Sequence, residues 1–176
     1  DNNLEEGTIS TNVVNNNPTS YTIEDEIILE NPIRLGYNFT NWTEGNAIPA
    51  GSTGNKVFTI NWEVVVYTIT YDNNLEEGTV STNVENNNPT SYTVEDKIIL
   101  SDPSRVGYTF EGWENGKIIS KGTTGNLVIK AIWKAIEYEI QYELDYGVNS
   151  DLNPLKYTDI DVDVNEFLYT KKVIFK

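Results

Sequence analysis

The sequence contains no cysteine, no histidine and no methionine. Disulfides, thiolate metal sites and imidazole chemistry are therefore excluded together. Missing cysteine fits both the cytosol and bacterial surface proteins without disulfides, so it does not fix the compartment. An active site would have to be assembled from carboxylates, and we expect the chain to be non-catalytic and to need no cofactor.

Positive charge is scarce, because 12 Lys and Arg residues face 27 Asp and Glu residues, for a net charge of −15. Such a surface repels phosphate backbones and anionic lipids, which argues against nucleic-acid binding and electrostatic membrane docking. Long apolar runs and signal-peptide patterns are also absent from the sequence. We therefore expect no membrane insertion.

What the chain does contain is a long repeated segment. The sequence DNNLEEGTISTNV from Asp1 returns as DNNLEEGTVSTNV from Asp72, 71 residues later, and the register holds without a gap to Trp62 and Trp133. A tandem copy predicts small modules strung together, whereas a catalytic site normally needs one asymmetric constellation. Because the chain opens within a copy, we expect it to be part of a longer polypeptide.

The copies predict three domains, named here the first, second and third repeat. The first repeat is residues 1–62 and lacks an opening strand. The second repeat is residues 63–133 and is complete. The third repeat, residues 134–176, is a partial or diverged copy.

Apolar and polar residues alternate where the second and third repeats begin. Tyr67, Ile69 and Tyr71 share one face of an opening strand, and the strict alternation over residues 137–144 continues the same Tyr-x-Ile-x-Tyr pattern. Residues 127–133 predict a closing strand. Only residues 63–66 and 134–137 separate a closing Trp from the next opening Tyr, without Gly or Pro, which predicts a stiff junction formed by one continuous strand.

Proline and glycine mark the turns between these strands. Pro89 ends the Asn-rich passage 86–88 and predicts a turn or open loop there. Asn115 and Gly116 lie between Trp113 and the apolar residues 118–119. An Asn-Gly pair in that setting is the strongest short signal for a β-hairpin.

The motifs YTITYD, NNNPTSYT, P-x-R-x-GYTFEGW, GTTGN and AIW follow one another in residues 67–133. This order resembles the Listeria/Bacteroides-type repeat, the group that includes the internalin B-type B-repeat. The resemblance covers the whole second repeat, the first repeat without its opening strand, and the start of the third. Asn41 stands where the second repeat has Gly112, which leaves the local turn geometry of the first repeat open.

The resemblance implies a fold and a location. It implies a mainly β chain of tandem small β-grasp-like repeat modules, with mostly antiparallel strands and little helix, in an elongated array. The β-grasp helix would lie between Leu75 and Asn88. It also implies an extracellular protein, secreted or attached to a bacterial cell surface.

Two Asn-rich loops are the candidate ligand-binding sites, since loops carry recognition more often than strands do. The candidate residues occupy equivalent places in the first and second repeats. They are Asn15, Asn16, Asn17, Tyr21, Asn86, Asn87, Asn88 and Tyr92.

Three acidic clusters invite a chemical interpretation. Residues 24–26 and 95–96 are interpreted as solvated surface, because acid–base catalysis needs two carboxylates in different environments across a cleft. Asp159, Asp161 and Asp163 alternate with apolar residues, which favours the acidic face of a strand. A site for a divalent cation on these three residues is the alternative.

We therefore expect a non-catalytic repeat module that acts as a stalk or spacer presenting other domains. The alternative is a multivalent adhesin that binds a glycan, a wall polymer or a host protein through the Asn-rich loops, with avidity from multiplicity. A further alternative concerns assembly. The strand Tyr138–Leu144 of one molecule would complete the first repeat of the next by head-to-tail strand addition. Under each hypothesis the immediate partners are neighbouring repeats of the same polypeptide.

Overall fold

A computed structural model describes residues 4–77, 79 and 81–158. These residues form β-strands joined by turns and contain no helix, and every strand pair with a defined register is antiparallel. The expected mainly β, antiparallel fold is thus confirmed. The β-grasp arrangement and the elongated array stay predictions.

The strands before residue 67 are β1 (Val13–Val14), β2 (Ile27–Ile28), β3 (Ile33–Arg34), β4 (Tyr37–Trp42), β5 (Ala47–Ile48) and β6 (Ile60–Val64). The strands from residue 67 onward are β7 (Tyr67–Asp72), β8 (Val84–Glu85), β9 (Ser91–Tyr92), β10 (Ile98–Ile99), β11 (Ser104–Arg105), β12 (Tyr108–Trp113), β13 (Ile118–Ile119), β14 (Leu127–Ala135), β15 (Tyr138–Glu139) and β16 (Lys156–Tyr157).

Contacts along the backbone divide the chain into two compact units. Unit 1 comprises Asp1–Thr70, Pro89–Ile99 and Ile118–Leu127. Unit 2 comprises Tyr71–Asn88, Leu100–Lys117 and Val128–Lys176. Parts of the second repeat therefore pack with the first repeat inside unit 1. The repeat boundaries themselves rest on the sequence and stay a prediction.

Three strand pairs of the first repeat recur in the second: β1–β3 as β8–β11, β2–β5 as β10–β13, and β4–β6 as β12–β14. In the first repeat the sheet order is β1-β3-β4-β6, and β2 pairs with β5. In the second repeat the order is β12-β14-β7-β9, β8 pairs with β11, and β10 pairs with β13. The strand β14 thus has β7 as a second neighbour, whereas its equivalent β6 has only β4 among the strands that the structure describes.

Both repeats carry a β-bulge at the same place. The register between β4 and β6 shifts between Phe39 and Asn41, and that between β12 and β14 shifts between Phe110 and Gly112. Gly112 has a positive φ of 147°. Asn41 keeps the bulge without glycine, and its Oδ1 accepts a hydrogen bond from Asn61 Nδ2 at 3.0 Å. The replacement of glycine thus leaves the register shift unchanged.

The cores are aromatic and aliphatic. In unit 1, Leu29, Trp42 and Ile60 are buried together, and Phe39 and Phe58 pack on them. In unit 2 the Trp113 ring lies 5.1 Å from Phe110 and 5.4 Å from Tyr71. Burying one such side chain stabilises the fold by about 1.5–3 kcal/mol. The closing strand β14 buries Ile129 and Ala131, as its alternation predicts.

Two predictions about how successive strands are connected are wrong. The Asn115–Gly116 turn exists, with Gly116 N donating to Trp113 O at 2.9 Å, but β13 after it pairs with β10 rather than with β12. Instead β14 pairs with β12, with Ala131 opposite Trp113 and Trp133 opposite Phe110. Local turn chemistry therefore specifies the bend and not the partner strand.

The predicted continuous strand at the junction is also interrupted. Residues 65–66 separate β6 from β7, and Val65 N donates instead to Gly36 O at 2.9 Å. In unit 2, Ile136 N donates to Gly107 O at 2.8 Å in the same way. At each junction, one backbone hydrogen bond therefore holds the chain between the end of one strand and the start of the next.

Two further elements differ from the sequence expectation. Between residues 75 and 88 the described residues contain the strand β8 and no helix. The opening strand of the third repeat is two residues long, β15, although residues 137–144 alternate throughout. Its pairing with β16 continues for one more bond, from Ile140 N to Leu155 O at 2.8 Å.

Candidate functional site

The Asn-rich loop of the second repeat is closed by its own amides. Asn88 N and Nδ2 both donate to Asn86 Oδ1, at 3.0 and 2.7 Å. The Asn88 amide also donates to Ser101 O at 2.9 Å, while its Oδ1 accepts from Ser101 N at 2.7 Å. The side chain thus pairs with Ser101 as the backbone of a neighbouring strand would.

The Asn-rich loop of the first repeat is closed by equivalent hydrogen bonds. Asn17 N and Nδ2 donate to Asn15 Oδ1, at 3.1 and 2.8 Å, and the Asn17 amide exchanges two hydrogen bonds with the backbone of Glu30. The middle residues, Asn16 and Asn87, have exposed side chains. Four of the predicted ligand-binding residues therefore use their amides within the loop, and the ligand-binding role of the set stays a prediction.

The two predicted site tyrosines lie in different surroundings. The Tyr92 hydroxyl donates to Gly125 O, its ring lies 5.5 Å from that of Tyr67, and the side chain is 2% exposed. Burial raises the pKa of the Tyr92 hydroxyl. The Tyr21 hydroxyl donates to Gly54 O in the same way, but Tyr21 is only half-buried.

A groove of about 660 Å³ lies beside Tyr21 in unit 1. One wall is formed by residues 18–23 and the other by residues 52–56. The apolar side chains of Ile27, Leu29 and Phe58 line it. In the second repeat β7 occupies the equivalent place.

A buried arginine in each of the first and second repeats was not singled out from the sequence. Arg34 is 3% exposed, its Nε donates to Ser10 O at 2.7 Å, and its guanidinium lies 3.5 Å from the centroid of the Tyr37 ring. Arg105 donates in the same way to Ser81 O at 2.8 Å and lies 3.4 Å above Tyr108. A desolvated cation over an aromatic ring stabilises by about 2 kcal/mol.

The most specific polar contact of unit 1 joins the first and second repeats. Glu95 Oε2 accepts a hydrogen bond from Ile9 N at 2.8 Å, and Oε1 accepts from Ser10 N at 3.3 Å and from the Tyr37 hydroxyl at 3.1 Å. We call this set of contacts the Glu95 lock. Its acceptor carboxylate belongs to the second repeat, whereas all three donors belong to the first.

The lock perturbs both titratable partners. Desolvation alone would raise the pKa of Glu95, but the hydrogen bonds from Ile9, Ser10 and Tyr37 outweigh it and hold the pKa below its ordinary value of 4.5. Burial, together with the bond to Glu95, raises the pKa of the Tyr37 hydroxyl. At neutral pH the lock is therefore a carboxylate bonded to a neutral phenol.

Backbone packing reinforces this contact. The Val94 side chain lies directly against Gly36, so that a Cβ added at Gly36 would stand 2.5 Å from Val94 Cβ. Gly36 also has a φ of +74°, which disfavours other residues. Glycine at this position thus lets the second repeat approach the backbone of the first.

The acidic clusters have structural roles where they are described. Asp96 accepts hydrogen bonds from Thr93 N and Oγ1 at 2.7 and 2.8 Å, and Asp25 accepts the same pair from Thr22. Hydrogen bonds from the backbone and side chain of Thr22 lower the pKa of Asp25. These contacts close turns on the surface. The solvated-surface interpretation of residues 95–96 is wrong for Glu95, because its half-buried carboxylate accepts three hydrogen bonds from the first repeat.

Neither a metal site nor a membrane-spanning helix is present in the part of the chain that the structure describes. Asp159, Asp161 and Asp163 lie outside the described residues. Within 4–77, 79 and 81–158, no group of three acidic side chains is arranged to hold a metal ion. The same residues contain no helix able to cross a membrane.

The sequence contained a signal for the residues that were missed, but it did not identify the groups that they contact. The motif R-x-GY recurs at Arg34 and Arg105, which marks a constant position without saying that the guanidinium stacks on the tyrosine three residues later. Glu95 has its copy in Glu24, so the repeat pattern gave no reason to separate the two. Only the folded structure distinguishes a carboxylate that accepts hydrogen bonds from one that is exposed to solvent.

Comparison with known families supports one assignment. The family model of the Listeria-Bacteroides repeat domain matches residues 67–129, which confirms the resemblance for that segment. Repeats of this family are typical of bacterial surface or extracellular proteins and are generally non-catalytic. No curated protein and no solved structure is significantly similar to the chain.

Proposed function

We propose that this chain, which carries a Listeria-Bacteroides repeat domain at residues 67–129, is an extracellular stalk module of a bacterial surface protein whose repeats are joined stiffly to present other domains. The observation that carries the proposal is the Glu95 lock. A spacer transmits position only if successive modules keep a fixed orientation, and that requires contacts beyond the covalent link.

The contacts around the lock support such a fixed orientation within unit 1. The link between β6 and β7 is two residues long, and Val65 N is bonded to Gly36 O. Val94 fills the space that glycine leaves at Gly36. With the Glu95 lock, these are three separate attachments within unit 1, and they support the proposal of a stiff link after β6.

The test is the distance distribution between spin labels on the two repeats. The absence of native cysteine allows cysteines to be introduced at Asn46 and Lys97, both exposed and both in unit 1, for double electron–electron resonance. We expect one narrow distance population in the unaltered sequence. Glu95→Gln should broaden it, whereas Glu24→Gln, at the equivalent exposed position, should not. A broad distribution in the unaltered sequence would contradict the stalk.

A multivalent adhesin is the second candidate, supported by the exposed side chains of Asn16 and Asn87 on equivalent loops. Binding to a glycan or wall polymer would then strengthen from one repeat to two. Replacing both residues by serine should abolish that binding and leave the fold unchanged, since their amides are not the ones that close the loops. Unaltered affinity would argue against these loops as the site.

A further inference from the structure

Two short ribbons of unit 1 expose isoleucines on their outer faces. The β2–β5 ribbon of the first repeat exposes Ile28 to 71%, and the β10–β13 ribbon of the second repeat exposes Ile99 to 61% and Ile118 to 55%. Ile99 and Ile118 are opposite each other in the ladder, so their side chains lie together on one face. Large apolar side chains grouped at such exposure are typical of a surface that contacts another molecule.

The inner faces of the same ribbons are already used by the core. Leu29 and Ile48 are buried in the first repeat, and Ile119 is buried in the second. Because neighbouring residues of a strand point to opposite faces, Ile28 and Ile99 necessarily point away from the core. The exposed isoleucines therefore contribute little to the folding of their own repeat.

Charge distinguishes the two outer faces. Two residues before the exposed isoleucine, the first repeat has Glu26 and the second repeat has Lys97, and both side chains are exposed. At the far end of each ribbon, Ala50 of the first repeat is replaced by the exposed Lys121 of the second. We call the outer face of the β2–β5 ribbon the Glu26 face and that of the β10–β13 ribbon the Lys97 face.

This reversal of charge identifies a second copy of the chain as the occupant. The two faces share an apolar centre and carry opposite charges at the same repeat position, so that each complements the other. Asp25 and Asp96 are common to both ribbons and accept hydrogen bonds from Thr22 and Thr93, so they do not alter the difference. Both faces are exposed within one molecule and do not cover each other there. Their pairing therefore requires two molecules.

We propose that the Glu26 face of one copy binds the Lys97 face of a second copy. Ile28 would pack against Ile99 and Ile118, and Glu26 would form an ion pair with Lys97 at the rim. The two faces are different surfaces, so the contact is heterologous and extends from copy to copy.

The contact joins copies side by side and does not depend on the Glu95 lock. Because it consists of a few side chains, a single contact is weak and transient. Copies held close together gain from its multiplicity. The failure of this association would therefore leave the stalk proposal standing, and a flexible junction would leave this association standing.

Sedimentation velocity of the 176-residue chain, up to millimolar concentration, tests the proposal. We expect the sedimentation coefficient to rise with concentration. Glu26→Lys and Lys97→Glu should each weaken association at least about fivefold, because each variant places like charges opposite each other. An equimolar mixture of the two variants should recover association to within about threefold of the unaltered chain, because Lys at 26 then faces Glu at 97.

A general effect of net charge predicts a different result. Glu26→Lys brings the net charge of −15 closer to zero, so reduced repulsion alone would strengthen association rather than weaken it. Glu63→Lys makes the same charge change at an exposed position on β6 and is the matched control, which should not weaken association. Ile28→Ser should weaken it as the charge variants do, because it removes the apolar centre of the Glu26 face.

The mixture also separates a lost contact from a lost fold, since a misfolded variant would not recover when the other variant is added. A sedimentation coefficient that stays constant up to millimolar concentration would overturn the proposal. Association that is weakened by neither charge variant, or that the mixture does not restore, would overturn the pairing of these two faces.

Discussion

The first and second repeats have nearly the same sequence over their opening residues and the same local contacts, but they bury equivalent tyrosines to different degrees. The amide of Asn17 bonds to Glu30 as that of Asn88 bonds to Ser101. Tyr92 is nevertheless buried against Tyr67, whereas Tyr21 is half-buried beside an open groove. Local structure thus follows local sequence, while burial depends on a strand from elsewhere in the chain.

A similar difference separates the two equivalent glutamates. Glu95 accepts three hydrogen bonds from the first repeat, but Glu24 is exposed. The same residue type at the same repeat position therefore serves as a junction contact in one copy and as surface charge in the other.

The largest expected effect comes from removing the equivalent tyrosines. Tyr92→Ala should lower the free energy of unfolding by about 3–5 kcal/mol, because it leaves a cavity under β7. Tyr21→Ala should cost less than about 2 kcal/mol, because its site is already open to solvent. Urea unfolding monitored by tryptophan fluorescence measures both. Equal losses would mean that the groove is closed in solution.

A smaller effect is expected at the junction. Glu95→Gln should cost about 2 kcal/mol, because a charge-assisted acceptor for two backbone N–H groups is replaced by a neutral amide. Glu24→Gln should change stability by less than about 0.5 kcal/mol. The comparison is made by urea unfolding at pH 7, and a matched loss in both variants would contradict the Glu95 lock.

The same lock predicts a pH dependence. The folded-state pKa of Glu95 lies below its ordinary value of 4.5, so its contribution is fully present above that value and is lost as the pH falls through the folded-state pKa. The stability difference between the unaltered chain and Glu95→Gln should therefore shrink as the pH is lowered from 7 to below 4.5. A difference that is constant over this range would show that the carboxylate charge is not involved.

The smallest expected effect on stability distinguishes an asparagine that closes its loop from one that is exposed. Asn88→Ala should cost about 1–2 kcal/mol, because it leaves the N–H and carbonyl of Ser101 without the paired amide. Asn87→Ala should stay within about 0.5 kcal/mol. Thermal unfolding followed by circular dichroism measures the pair. Similar stability of the two variants would indicate that water replaces the amide at no cost.

The strands with alternating apolar and polar residues were predictable because this alternation depends only on the local sequence. The sequence indicates β7 from Tyr67, Ile69 and Tyr71, and the closing strand β14 from its buried alternate residues. The Asn115–Gly116 hairpin prediction failed because a turn fixes a bend of a few residues, whereas the partner of the next strand depends on the pairing of β10 with β13. The stacking of Arg34 on Tyr37 could not be predicted, since the side chain must first be excluded from water by residues distant in sequence.

The sequence by itself determined the repeat, the antiparallel β class, the turns at glycine and asparagine, and the family match of residues 67–129. These follow from interactions over a few residues or from direct copying. Tertiary structure alone decided that Glu95 bonds to the first repeat and that Val94 packs on Gly36. Those outcomes depend on which segments meet in space, and identical local sequences cannot encode different neighbours.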